Sequence, residues 1–344
     1  MLCRAKGVFL MVRRILISRL RFMGDVILTT PAVHALRQAY PDASITYLVE
    51  APYSELLRHH PDIDELLVVR KNDGKAMRRL FTTLLTTRFD IAIDLFCNPR
   101  SAILTWCSGA RLRIGGDFRG RRVLYSRRIP LDDIRRTAVD FHLNYLAPLK
   151  INYEKVEPFI QITEEEKEWA RAYLRKNRYD LARPIIGLHP GATWPAKQWL
   201  PDRFAKLADR ISDANGQVLF TMGPNETRLL QSVVNMCSFA ARMPEVLTLR
   251  QLAAVVHCLH AYVSNDCGPL HLAPAVGTPV IGIFGPGTPE IWFPYRADLG
   301  HRLVFHTLDC SRCNRDFCEK LDCMRAITVD DVFKVVAENL NKNS

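Results

Sequence analysis

Residues 264–290 read Ser264-Asn265-Asp266-Cys267-Gly268-Pro269, then an apolar segment from Leu270 to Val276, then Gly277-Thr278-Pro279. A β-branched run follows from Val280 to Ile283, and a second turn closes the stretch at Gly285-Pro286-Gly287. The pattern predicts a polar loop, a helix ended by Gly277 and Pro279, and a short buried strand. A helix opened after Asp-x-Gly-Pro presents free backbone N–H groups and the positive end of its dipole. Gly268 lets a ligand approach the backbone, and Pro269 suits the first helical turn, where its missing donor costs nothing. Such an end binds a phosphate readily. The plainer reading is that Asp266 caps the helix and the glycines only turn the chain. Physics alone leaves both readings open, but the loop–helix–strand punctuation belongs to an α/β protein.

Working outward, the same grammar repeats. Upstream of the stretch, Ala261 to Ser264 reads as the strand that delivers it, and a capping box at Thr248 to Gln251 opens the helix before that. Ile185 to Leu188 and Gln217 to Thr221 are further strands, each running into a Gly/Pro loop. In the first half, Ile15 to Ile17, Ser44 to Val49, Leu66 to Val69 and Asp90 to Leu95 are strands. Between the last two, Lys75 to Thr87 is helical, with Met77, Leu80, Phe81, Leu84 and Leu85 on one side. Strands alternating with helices imply parallel sheets, whose ligands bind at strand ends. Two strand ends in this half carry polar chemistry. After Ile17 come Arg19, Arg21, Gly24 and Asp25, then a helix to Ala39. Asp25 falls at that helix start, where it can stabilise the dipole or serve a ligand cleft as a general base. After Leu95 come Asn98 and Arg100, whose planar fork suits a phosphate or carboxylate.

The composition is that of an ordinary globular chain, 48% hydrophobic and 24% charged over 344 residues, which suggests about two domains. A formal net charge of +11 favours an anionic partner without choosing among nucleic acid, membrane surface and phosphorylated glycan. No apolar run is long enough for a transmembrane helix. The piece from Gly7 to Val12 lacks a small-residue cleavage pattern, so it is not read as a signal peptide, and Met11 offers an alternative start. Cysteines scattered in apolar segments (Cys107, Cys237, Cys258) suggest a reducing cytoplasm.

Here a resemblance enters. Asp266-Cys267-Gly268-Pro269-Leu270-His271-Leu272-Ala273, with Gly277-Thr278-Pro279 and Phe284-Gly285-Pro286, resembles the C-terminal signature of glycosyltransferase family 9, the ADP-heptose lipopolysaccharide heptosyltransferases. Gly24-Asp25 with Thr29-Thr30-Pro31-Ala32 resembles its N-terminal motif, and His189 to Trp199 its donor-phosphate loop. Two positions depart. Cys267 stands where the family usually has Ser or Thr, replacing a strong hydroxyl donor by a weak thiol, and Gly287-Thr288 replaces a usual Thr-Asp. The resemblance implies a GT-B fold of two Rossmann-like parallel-sheet domains facing a central cleft. It implies an inverting, metal-independent transferase that moves heptose from ADP-heptose to the inner core of lipopolysaccharide, with no cofactor required for catalysis. Asp25 is then the general base. Thr193, Lys197, Glu226, Asp266, Cys267, Gly268 and His271 hold the donor, and Arg21, Asn98 and Arg100 meet a lipid-linked anionic saccharide acceptor. The enzyme is expected in the cytoplasm, peripheral on the inner face of the inner membrane, with no nucleic-acid partner. The alternatives are a related GT-B enzyme with another sugar nucleotide, an epimerase among them, and a zinc- and nucleic-acid-binding protein.

Expected boundaries are 1–157 for the acceptor domain and 158–326 for the sugar-nucleotide domain, with 327–344 a C-terminal helix packing back on the first domain. Two features stand apart. Residues 111–136 form a lysine-free arginine run, including Arg119, Arg121, Arg122, Arg127 and Arg128, with few aromatics. It reads as a mobile solvated loop or as a surface for an anionic glycolipid or bilayer leaflet. Cys310, Cys313, Cys318 and Cys323 form a candidate structural zinc site, although their spacing is not a common finger pattern.

Overall fold

The structure is a computed structural model that describes residues 3–5, 8–10, 12–130 and 136–340. Met11, residues 131–135 of the arginine run and the last residues of the C-terminal segment fall outside the described residues. The chain divides into two compact units, Met1–Gln161 and Ile162–Ser344. A short antiparallel hairpin, β1 (Cys3–Ala5) with β2 (Val8–Leu10), precedes the first unit's sheet.

That sheet has six strands: β3 (Arg14–Ser18), β4 (Ser44–Glu50), β5 (Glu65–Val69), β6 (Ile91–Asp94), β7 (Leu112–Gly116) and β8 (Arg127–Ile129). Their spatial order is β5-β4-β3-β6-β7-β8, all parallel. This is the doubly wound order of a dinucleotide-binding fold, with its reversal between β3 and β6. The central strands are largely apolar because helices cover both faces. Ile15, Leu16 and Ile17 are completely buried. The helices are α1 (Met23–Leu28), α2 (Thr30–Ala39), α3 (Gly74–Thr87), α4 (Pro99–Cys107) and α5 (Ala138–Asn144). On α3, Leu80 and Leu84 enter a core with Leu16, Leu48 and Leu104, and Met77 and Phe81 lie against it. Leu85, expected on that same side, turns out to water instead.

The second unit has five strands: β9 (Ile185–His189), β10 (Gln217–Phe220), β11 (Ala261–Asn265), β12 (Val280–Phe284) and β13 (Arg302–Phe305). Their order is β10-β9-β11-β12-β13, again all parallel, with the reversal between β9 and β11. Around it run α6 (Glu164–Lys176), α7 (Pro201–Asp213), α8 (Thr227–Met236), α9 (Leu249–His257), α10 (Gly268–Ala275) and α11 (Val329–Leu340). The capping box read at Thr248 forms, and a second one opens α6 at Thr163. The expectation that the C-terminal helix returns to the first domain is corrected. Val332, Val336 and Leu340 of α11 are buried in the second unit's own core with Phe204, Ile211 and Ile283. That core offers the helix an apolar seat beside α7.

The described part of the arginine run is not all loop. It carries two strands, β7 and β8, at the edge of the first sheet. No helix among the described residues is long and apolar enough to cross a membrane.

Several imidazoles are buried as neutral groups. Burial pulls His142 and His271 down to about 3, helped by the cations Arg19 and Lys197 respectively. It pulls His60 down to about 4 against the opposing pull of Asp62. The unfolded chain protonates these rings near 6.5 and the folded chain refuses the proton. Stability is therefore complete above that pH and declines as pH falls toward 4, by up to about 1.4 kcal/mol per pH unit for each ring. Asp94 and Asp266, whose pKa values burial raises, work against this trend. The melting temperature is expected to drop between pH 7.5 and pH 5, and a flat profile in a calorimetric scan would refute the neutral-burial account.

Candidate active site

In an open parallel sheet the ligand crevice lies at the carboxyl ends of the strands, where the strand order reverses. In the second unit those ends belong to β9 and β11. The first releases the loop from Pro190 to Trp199, and the second releases Asp266-Cys267-Gly268. The donor candidates therefore gather at the position the topology prescribes, although Lys197 and Asp266 are far apart in sequence.

Lys197 Nζ lies 2.6 Å from Asp266 Oδ2, with side chains 15% and 5% exposed. Burial raises the Asp266 pKa, and Lys197 opposes that rise. The ammonium also stands 4.5 Å from the centre of the Trp194 ring. Asp266 does not cap α10. That helix starts at Gly268 without any side-chain cap, so the capping alternative fails and its opening amides keep their character as an anion seat. Asn265, the last residue of β11, ties the two loops together. Its Nδ2 donates to the Pro190 carbonyl (2.8 Å), and its Oδ1 accepts from the Trp199 N–H (3.0 Å).

Glu226 sits at the end of the loop after β10, the neighbour of β9. Its carboxylate accepts from the Gly223 N–H (2.6 Å) and lies 3.5 Å from His189 Nε2. It stands directly over Gly191, where an added Cβ would overlap its oxygens. Gly287 plays the same part beside Asp266, because a Cβ there would overlap Oδ2. That accounts for the departure at position 287: any side chain would displace the carboxylate that Lys197 holds. Thr193 is exposed on the β9 loop.

Two donor candidates turn inward. Cys267 Sγ lies 3.4 Å from Ser264 Oγ and 3.6 Å from the Gly191 carbonyl. Burial pushes its thiol up to about 12, so it is a neutral packing group that braces the loop. His271 is buried on α10 with Nδ1 2.7 Å from the Tyr295 hydroxyl.

In the first unit the reversal lies between β3 and β6, and Asp25 sits in the first turn of α1 just beyond β3. Its Oδ2 accepts from the Phe22 N–H (3.1 Å), and its Oδ1 meets Arg19 Nη2 at 2.5 Å. Arg19 also donates through Nη1 to the Leu95 carbonyl at the end of β6 (2.8 Å) and lies over the Phe96 ring. One guanidinium thus joins the ends of both switch-point strands and fixes the carboxylate between them. Among the acceptor candidates, Arg21 stacks near Phe22 and Phe96. Asn98 spends its Oδ1 on capping α4 through the Ser101 N–H (2.7 Å). Arg100 is exposed at that helix start, 3.7 Å from Glu50, which Lys71 also approaches at 2.8 Å.

The four cysteines read as a candidate zinc site differ in exposure. Cys310 and Cys313 are exposed, whereas Cys323 is drawn into the second unit's core beside Met324. Among the described residues no group of three or more His, Cys, Asp or Glu is placed to hold a metal ion.

Reasoning from sequence missed Arg19 and Asn265, and also the buried chain in which His189 meets Thr221 (3.1 Å) and Thr221 meets Tyr262 (2.6 Å). Arg19 had one available signal, a cation at a strand end six residues before the carboxylate. Asn265 had none beyond its place beside Asp266.

Comparison with known proteins identifies the family. Residues 77–322, most of the chain, match the profile of glycosyltransferase family 9 (heptosyltransferase). Asp25 lies outside the matched residues. Lipopolysaccharide heptosyltransferase 3 of Escherichia coli is 25% identical over 293 residues, covering 80% of this chain and 84% of that protein. A lipopolysaccharide core heptosyltransferase of Haemophilus influenzae is 26% identical over 288 residues, covering 81% of each. The crystal structure of a family 9 glycosyltransferase from Veillonella parvula superposes with a TM-score of 0.83 at 27% identity, covering 95% of this chain and 97% of that one. E. coli ADP-heptose heptosyltransferase II superposes at 0.78 and 21% identity, covering 95% and 98%, which speaks to the fold. With that profile matched over most of its length and two Rossmann-like sheets of GT-B type, the chain belongs to glycosyltransferase family 9.

Proposed function

We propose that the chain transfers a heptose from ADP-heptose to the inner core of lipopolysaccharide, with inversion at the anomeric carbon. The names of the relatives at 25–26% identity support this donor and acceptor class. Within the molecule, the observation that carries the reading is the buried Lys197–Asp266 pair at the uncapped start of α10. A cation and free amides converge there, as a departing diphosphate requires.

In this reading the sugar nucleotide lies on the second unit. Thr193 and Lys197 meet the diphosphate, Glu226 accepts ribose hydroxyls, and Gly268 admits the phosphate to the backbone. The acceptor, a lipid-linked anionic saccharide presented at the cytoplasmic face of the inner membrane, lies on the first unit near Arg21 and Arg100. Asp25 takes the proton from the attacking hydroxyl as its oxygen bonds to the anomeric carbon. The bond to the diphosphate breaks, and the electron pair leaves with ADP. Lys197 and the α10 amides take up the charge on the departing group, the part a divalent cation plays in other transferases, so transfer is metal-independent.

Calorimetric titration with ADP-heptose, beside UDP- and GDP-sugars, tests the donor. Selective binding of ADP-heptose that Asp266→Ala weakens is the expected result. Equal binding of all three, or binding that survives the substitution, would overturn the assignment. Transfer to a lipid A core acceptor should persist in excess EDTA.

A further inference from the structure

The arginine run has no part in the transfer chemistry just described, yet it is held rigidly. Tyr125 donates its hydroxyl to buried Asp94 at the end of β6 (2.8 Å). Arg113 bonds both the Leu124 carbonyl (2.9 Å) and the Ala110 carbonyl (2.6 Å), so one guanidinium fastens the tip of the run to the segment just after α4. The short turn Arg122–Leu124 accordingly packs against α4.

What this scaffold holds outward is apolar. Val123 at the tip is 77% exposed, and Trp106 and Ile103 on α4 are 55% and 48% exposed. Arg100, Ile103 and Trp106 follow one another at three-residue spacing, so they line one face of α4. That face begins at Arg100, at the ligand edge of the sheet, and runs back to the fastened tip. Cations surround the apolar residues. Between residues 117 and 130 there are five arginines against one aspartate, Asp117, which lies 3.8 Å from Arg128. Arg119, Arg122 and Arg127 are exposed.

We propose that this face, α4 with the turn at Val123, is a docking surface for an anionic lipid bilayer. Two observations select that occupant. The amphipathic Trp106 and the aliphatic Ile103 and Val123 suit the boundary between headgroups and acyl chains. The flanking arginines complement an anionic leaflet. A nucleic acid would want aromatic platforms, and Val123 and Ile103 give a base nothing to stack on. The choice of a bilayer also rests on the reading that the acceptor is lipid-linked. Docked in this way, the first unit would meet acceptor molecules in the plane where they reside.

Sedimentation of the full chain with phosphatidylglycerol-containing vesicles, against phosphatidylcholine vesicles, tests the surface. Binding to the anionic vesicles is expected to be at least about tenfold stronger and to weaken as salt is raised. Arg119→Gln with Arg122→Gln should lower it roughly 25-fold, about fivefold for each cation near the surface. Trp106→Ser with Val123→Ser should lower it on the order of tenfold. Both double variants should transfer sugar to a soluble, delipidated acceptor at the parent rate. Indifference of the parent protein to lipid charge would overturn the proposal. So would undiminished binding by the variants, or their loss of activity on the soluble acceptor. Vesicle binding is read without any sugar nucleotide, so its failure leaves the transferase reading standing. Normal vesicle binding with no transfer would fall on the transferase reading alone.

Discussion

Asp25→Asn should lower kcat by about 10³-fold, within the range for loss of a positioned general base, and leave ADP-heptose affinity unchanged. The asymmetry follows from placement. Asp25 is on the first unit, just beyond β3, while the donor candidates are on loops of the second. The amide keeps the size of the carboxylate but cannot accept a proton at neutral pH. It also disturbs the local bonding. The carboxylate now accepts from the Phe22 N–H with one oxygen and meets Arg19 with the other. An amide can offer oxygen to one of these donors and must point its own N–H groups at the other, a mismatch of about 1–3 kcal/mol. A small fall in melting temperature should therefore accompany the loss of rate. Steady-state kinetics beside donor titration checks the argument: parent-like turnover would exclude Asp25 as the base, and weakened donor binding would show that the substitution acts through folding.

Lys197→Met should act on both stability and binding. Asp266 is 5% exposed and Lys197 is its ion-pair partner. Removing one member of a buried pair leaves an uncompensated charge and costs about 3–5 kcal/mol. The remaining carboxylate then faces the seat proposed for a diphosphate, so donor binding should fall as well. Adding Asp266→Leu to Lys197→Met removes the stranded charge. The double variant should regain most of the lost melting temperature yet bind ADP-heptose no better than the single one. Recovery of binding along with stability would mean that the pair only shapes the loop. A single variant as stable as the parent would mean that the pair is solvated in solution.

Much of this architecture could be read from the linear chain, for a physical reason. Central parallel strands are covered on both faces, so Ile15-Leu16-Ile17 and Val280 to Ile283 appear as plain apolar runs between Gly/Pro turns. Edge strands lack that cover. β8, at the edge, and β7 beside it carry arginines and were hidden inside what looked like a charged loop, and the edge strand β13 escaped in the same way. At the site, Asp25, Lys197, Glu226 and Asp266 entered as candidates through the family resemblance, and the fold places each on a segment that follows a strand. Arg19 did not enter, because its role depends on the fold bringing Leu95 and Phe96 beside it. Cys267 illustrates the opposite case. Its position in the motif suggested a ligand contact, but a motif fixes the backbone and says nothing of the rotamer, and the thiol faces Ser264. The four late cysteines are neighbours along the chain, yet they differ in burial: Cys323 sits in the core with Met324, whereas Cys310 and Cys313 are exposed.

Asn265 carries one further consequence. Because a single amide side chain bonds both ends of the Pro190–Trp199 loop, the two loops cannot loosen independently. In the proposed reading, the donor platform then behaves as one mechanical part, stiff or slack as a whole. A ligand fragment that engages either loop must order both. Its apparent affinity then carries the ordering cost of the entire platform, while the complete nucleotide spreads that cost over all its contacts.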